Sequence, residues 1–182
     1  MSAAAVPTHI PRATRPDRPP VPALPALDEL DQTHRQVLEH LAELDKLMTH
    51  LTLHGLDETS RELARGICAF FESTARKHHA DEERIVFPGL LAGGNARIIE
   101  HVQRLQQDHG WLEEDWIELA PQLQAVAQGF SWYDIDTLRL ASGIFTALYQ
   151  DHIALEESMI YPAARKLVAD QVKSTQDRLA GG

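Results

Sequence analysis

Two stretches of the chain carry the same phrase. His78-His79-Ala80-Asp81-Glu82-Glu83-Arg84-Ile85-Val86-Phe87-Pro88 and His152-Ile153-Ala154-Leu155-Glu156-Glu157-Ser158-Met159-Ile160-Tyr161-Pro162 match at the leading His, the paired Glu, the aromatic and the closing Pro. In both, the His and the first Glu stand four residues apart, which puts an imidazole and a carboxylate one turn apart on one face of a helix. Two such helices facing each other would offer two His and two Glu to a common point. Helical bundles build carboxylate-bridged metal sites in this way.

The residues around the two phrases step by three and four, so helices must position them. Leu27, Leu30, Leu38, Leu41, Leu44, Met48 and Leu51 mark a first helix over about 26–53, with His34 filling a gap in the stripe and Gly55 ending it. A second helix over about 57–87 shows Leu63, Ile67, Phe71 and Thr74, turns polar at His78 and Glu82, and stops at Pro88 and Gly89. A third begins near residue 96 with Ile98, His101, Leu105, Leu112, Trp116 and Leu119 on one face, and Pro121 predicts a break or kink. A fourth begins near Tyr133 or Asp134, carries Leu138, Ala141, Phe145, Leu148, His152, Glu156 and Met159, and closes near Tyr161, with 163–168 as a continuation past a kink.

Short turns between four long amphipathic helices predict an all-α, up-down-up-down four-helix bundle over residues 26–168. Residues 1–25, with seven prolines from Pro7 to Pro25, read as a disordered tail, and 169–182 as a frayed end. His34 and His101 sit in the second turns of the first and third helices. His78/Glu82 and His152/Glu156 sit near the ends of the second and fourth. In such a bundle those ends coincide, so all six groups are expected on one layer. Burying two carboxylates without cations costs several kcal/mol each. A pair of cations removes that cost, and imidazole with bridging carboxylate and no thiolate suits iron better than manganese or zinc. An ordinary core or cap histidine explains any one of these residues alone, but not four in register.

At these residues the sequence resembles the hemerythrin-like (HHE cation-binding) family. The resemblance rests on His34, His78-x-x-x-Glu82, Glu100-His101 and His152-x-x-x-Glu156-Glu157 with the Tyr161-Pro162 stop, and covers roughly 27–165. It implies a hemerythrin-like bundle around two iron ions, oxo- or hydroxo-bridged, with His34, His78, His101 and His152 as terminal ligands and Glu82 and Glu156 as bridges. The oxygen carriers of the family have HxxxH in the third helix, where this chain has Leu105 four residues after His101. They place an Asp five residues after the last His, where this chain has Glu157 beside a competing Glu156. Two His per iron resembles instead the bacterial di-iron proteins of iron–sulfur cluster repair and the eukaryotic iron-sensing domains.

The other histidines divide by position. His79 lies ~100° round the helix from His78 and reads either as solvent-exposed or as a supporting or substitute ligand. His40 and His50 fall on the outer face, His54 in a turn, and His109 at the edge of the core. Glu83 and Glu157 face outward or hydrogen-bond to the ligands.

Composition narrows the partners. The formal net charge of -10 argues against nucleic acid and anionic membrane. No apolar run is long enough to span a membrane. The single Cys68 excludes an intrachain disulfide and reads as a buried thiol in a reducing, hence cytoplasmic, setting. The function expected is a di-iron protein that binds or reacts with a small diatomic or peroxide ligand, in oxidative or nitrosative stress. The alternatives are a non-catalytic iron or redox sensor, docking a protein through its outer face or Pro-rich tail, and an iron store or donor. Whether the chain is an enzyme is left open by the sequence.

Overall fold

The computed structural model describes residues 22–181. The expected tail up to residue 21 lies outside them. Four helical rods run antiparallel in chain order. α1 is Leu24–His54. α2 is one unbroken rod of five consecutive pieces: α-helical Glu58–Phe70, π-helical Phe71–Ala75, α-helical Arg76–Asp81, π-helical Glu82–Val86 and α-helical Phe87–Ala92. α3 is Ala96–Gln128. α4 joins α-helical Ile135–Leu155, π-helical Glu156–Ile160 and α-helical Tyr161–Ala180. α1 packs on α2 and α4, and α3 packs on the same two.

Local chemistry sets the ends. Asp57 accepts from the Ser60 N–H while the Asp57 N–H donates to the Ser60 hydroxyl, a reciprocal cap at the start of α2. Asn95 accepts from the N–H groups of Arg97 and Ile98, and Asp134 from that of Thr137. Gly129 closes α3 at φ 83°, a left-handed position that favours glycine.

Two prolines expected to stop helices do not. Proline lacks an N–H and clashes with the carbonyl four residues back. Pro88 and Pro162 each stand two residues past the end of a π-turn, so the carbonyl four residues back lies within that turn, whose wider ring leaves it room. The same extra residue shifts the inward stripe by one, so Val86 and Ile160 are buried instead of Ile85 and Met159. α3 also runs through Pro121 without a break. The expected fray after residue 168 is helical to Ala180, although Val168 is its last buried residue. In α1 the inward position is Val37, and Leu38 is exposed.

The interior has two apolar blocks. The larger holds Leu44, Ile67, Phe71, Leu112, Trp116 and Phe145, and the smaller holds Leu27, Val86, Phe87, Leu105, Ile160 and Tyr161. A layer of buried His and Glu separates them. Cys68 lies in the larger block, and burial pushes its thiol up to about 12. No helix among the described residues is long and apolar enough to cross a membrane.

Candidate metal centre

The layer is built symmetrically from the two repeated phrases. His78 and Glu82 come from α2, His152 and Glu156 from α4, His34 from α1 and His109 from α3, and all six are buried. Their donor atoms form two groups. His34, His78, Glu82 and Glu156 lie within 4.8 Å of one another, and so do Glu82, His109, His152 and Glu156. The two carboxylates belong to both groups. Glu82 stands 3.9 Å from His34 Nε2, 3.5 Å from His78 Nε2 and 3.5 Å from His109 Nε2. Glu156 Oε2 is 3.1 Å from His34 Nε2 and 3.2 Å from His152 Nε2.

His101 is not brought to this layer, contrary to the expectation, and His109 takes the place on α3. The reason is height. Because α2 continues to Ala92 instead of stopping at Pro88, the chain reverses further from Glu82. The matching level on the descending α3 is therefore reached two turns later. Ile98, Val102 and Leu105 fill the apolar block on one side of it, and Leu112 and Trp116 the block on the other. A sequence signal for His109 existed. The phrase recurs after 74 residues, from His78 to His152, and His109 follows His34 by 75, whereas His101 follows it by 67.

The outer partners fix the imidazoles. Glu157 Oε1 is 3.2 Å from His34 Nδ1, and Glu83 Oε1 is 2.9 Å from His109 Nδ1. A carboxylate there requires the proton on Nδ1, which leaves each Nε2 lone pair aimed inward. The second Glu of each phrase thus orients the histidine of a neighbouring helix. Tyr161, noted in the sequence only as a matching aromatic, donates from its hydroxyl to Glu82 Oε1 at 2.5 Å and lies 3.2 Å from His34 Nε2. Asp108 is also buried, 3.9 Å from His152 Nδ1. His40 stacks on Phe70 and His50 reaches Asp57, both away from the layer.

These groups fit cations and do not fit one another. His78 Nε2, His109 Nε2, His152 Nε2, Glu82 Oε2 and both Glu156 oxygens are buried without a hydrogen-bond partner, although they crowd together. Buried polar atoms are ordinarily paired, and donor atoms converging at these distances without hydrogen-bond geometry are arranged for a common ion. Without cations the charges conflict. Burial and the Glu82 charge push the Glu156 carboxyl up to about 8. Burial also acts to raise Glu82, but the surrounding imidazoles, His78 foremost, outweigh it and hold that carboxyl below its ordinary range. Burial drives His78 down to about 4, while at His34 the neighbouring carboxylates outweigh burial and raise it.

A cavity of about 410 Å³ opens between α2 and α3 and ends on His79, His109 and Tyr149. Phe71, Trp116 and Phe145 form its apolar wall, and Arg76 and Glu113, paired at 2.5 Å, stand at its lining.

Comparison with known proteins agrees with this geometry. The family model described as "Hemerythrin HHE cation binding domain" matches residues 26–164. An uncharacterized protein of Haemophilus influenzae is 29% identical over 137 residues, covering 75% of this chain and 77% of that one. No solved structure matches.

Proposed function

The chain belongs to the hemerythrin HHE cation-binding domain family, and on that premise we propose that it is a non-haem di-iron protein that binds or reacts with dioxygen, peroxide or nitric oxide. One cation would be held by His34 and His78, the other by His109 and His152, and Glu82 and Glu156 would bridge them. His109 stands in this assignment where the sequence favoured His101. The observation that carries the reading is the set of buried, unpartnered Nε2 atoms disposed on both sides of two shared carboxylates.

Iron bound there would supply electrons to a small oxidant. The chain's own residues do the rest. Two carboxylates offset the charge of two close cations. Glu157 and Glu83 keep the Nδ1 protons of His34 and His109 and so present neutral Nε2 atoms inward. The Tyr161 hydroxyl donates a hydrogen bond to Glu82 Oε1, next to the His34 side. The Phe71, Phe87 and Phe145 side chains exclude bulk water, which strengthens every charge interaction in the layer. Imidazole and carboxylate without thiolate favour iron over softer-ligand metals.

The test is metal analysis and an optical spectrum of the full chain purified in air, followed by peroxide and nitric-oxide consumption assays. Two irons per chain, near-ultraviolet bands that vanish on chelation, and turnover of either oxidant are the expected results. Iron content near zero overturns the di-iron reading. Two bound irons without any reaction overturns the oxidant chemistry and leaves sensing or storage.

A further inference from the structure

We propose that the groove between α1 and α4 is the contact face of a two-fold dimer, in which a second copy of this chain lies antiparallel across it with the axis at Ser142 and Gly143. The groove holds about 800 Å³, on the side of the bundle away from the cavity between α2 and α3. Leu41 and Met48 form its floor, and Ala42, Gly143 and Ala147 keep its walls low. Large apolar side chains stand uncovered along it. Leu38 is 41% exposed, Leu53 70% and, one turn before Gly143, Leu140 68%. Two details point to an occupant. The Ser142 hydroxyl has no hydrogen-bond partner, in a residue only 4% exposed, and a buried polar atom is ordinarily paired. Gly143 sits in mid-helix, where glycine weakens the helix, yet a Cβ there would meet nothing within 4 Å. Gly66 and Gly110 are as open, so the glycine counts only for its place at the groove, where it lets a second backbone come close.

Charge selects the second copy and its register. Arg139 donates to the Thr52 hydroxyl across the groove, so these two are level. Because α1 and α4 run antiparallel, Asp45, seven residues before Thr52, is level with Thr146, seven after Arg139. The groove thus carries a cation near one end and a carboxylate ~10 Å further along. A two-fold axis crossing the helices midway between 139 and 146 passes at Ser142 and Gly143. It lays α1 on α1 and α4 on α4 of the second copy in opposite directions, and sets each Arg139 guanidinium against Asp45 of the other copy. The two Gly143 backbones meet at the crossing, and Leu140 falls at the level of Ile144 and Thr146 of the other copy. Thr49 and Ser142 of the other copy come opposite the unpartnered Ser142 hydroxyl. A parallel pairing would put Arg139 on Arg139 and Asp45 on Asp45, and such like-charge contacts reject it. From Leu38 to Leu53 the face is ~22 Å long and, two helices wide, ~20 Å across. That footprint falls below the ~800 Å² per partner of a standard interface, so the dimer is a weak, exchanging one.

The test is sedimentation equilibrium of the full chain as purified, over a concentration series, with thermal melting of each variant followed by circular dichroism. The wild type should be a monomer–dimer mixture with a Kd in the micromolar range. Arg139→Glu and Asp45→Arg should each weaken the dimer at least about tenfold, because each sets like charges face to face. Mixed in equal amounts, the two variants should associate again with near wild-type affinity, since both pairs of the mixed dimer then have opposite signs. Gly143→Leu should abolish the dimer and leave Tm equal or higher, because its own chain has room for the side chain and leucine is the better helix former. If Gly143→Leu does not fold, the mixture of the two charge variants decides. A wild type still monomeric at about 1 mM overturns the proposal and leaves the groove to another partner. A dimer indifferent to Gly143→Leu uses another face and overturns it equally. Weakening by both charge reversals without recovery in the mixture overturns the antiparallel register.

Discussion

The His34–His78 flank of the centre and the His109–His152 flank share a plan but not an environment. Each has one imidazole from an HxxxE phrase and one from a neighbouring helix, and each of the latter is held at Nδ1 by the second Glu of a phrase. Phe71 and Phe145 pack above the layer in matching positions of α2 and α4. The differences lie one residue away from the shared parts. Tyr161 stacks on His34 with centroids 5.1 Å apart and donates to Glu82, whereas its counterpart Phe87 stacks on His109 at 5.8 Å and has no hydroxyl to give. His79 flanks only the second side, and only that side adjoins the cavity between α2 and α3. A repeated motif thus builds a symmetric cage, and single differences between the copies give its two ends different neighbours.

The largest effect should come from what the flanks share. Stripping the metal from the loaded protein should lower Tm by ~10 °C, because a cation present at a thousand times its Kd adds about 4 kcal/mol and about 1 kcal/mol moves Tm by ~2–4 °C in a chain of this size. Glu82→Gln or Glu156→Gln should cost at least one iron per chain and the magnetic coupling between irons. In chelated protein Glu156→Gln should act with the opposite sign. The folded-state carboxyl at about 8 lies above its ordinary 4.5, so its contribution is complete at low pH and is lost as pH rises through about 8. His78, lowered to about 4, works the other way below 6.5. The chelated wild type should therefore lose several degrees of Tm between about pH 6.5 and 8, and Glu156→Gln should flatten that slope. A slope unchanged by the substitution would place the titrating group elsewhere.

Next come the imidazoles that distinguish the flanks. His34→Ala and His109→Ala should each remove one iron, on opposite sides, while His101→Ala should leave two irons and an unchanged spectrum. Loss of iron in His101→Ala with retention in His109→Ala would reverse the level assigned to α3. A smaller effect is expected of the outer carboxylates. Glu157→Gln should weaken the His34 side and Glu83→Gln the His109 side, each by about 10–100-fold in affinity, read by chelator competition. The smallest is Tyr161→Phe, which copies the environment of the other flank. It should leave two irons bound and shift the Mössbauer doublet of the His34 side alone. A shift of both doublets would mean that Tyr161 acts through the bridging Glu82.

Much of this molecule is local information. Four helices, their turns and their inward faces follow from periodicity and caps, because a helix's buried stripe is written in residues three and four apart. The polar break in the stripes of α2 and α4, the repeated HxxxE units and the buried Cys68 follow in the same way. His34, His78, Glu82, His152 and Glu156 could be placed on one layer because each occupies an inward position near a legible helix end. His101 and His109 could not be separated on that basis. They flank Leu105 four residues to either side, and both lie near the inward face of α3. Which one meets the layer depends on how far α2 runs before the chain turns back. That length depends on a π-turn that relieves the clash of Pro88, and no propensity or pattern used for the sequence reveals such a turn. The π-turns also moved the inward position from Ile85 to Val86 and from Met159 to Ile160. The pairing of Glu83 with His109 and Glu157 with His34, and the approach of His79 to a second flank, likewise join residues of different helices. The sequence by itself determined the helices and the ligand types. The tertiary structure decided the heights at which they meet, because axial register between helices is set by loop position and packing across the bundle, not by any residue's own neighbours.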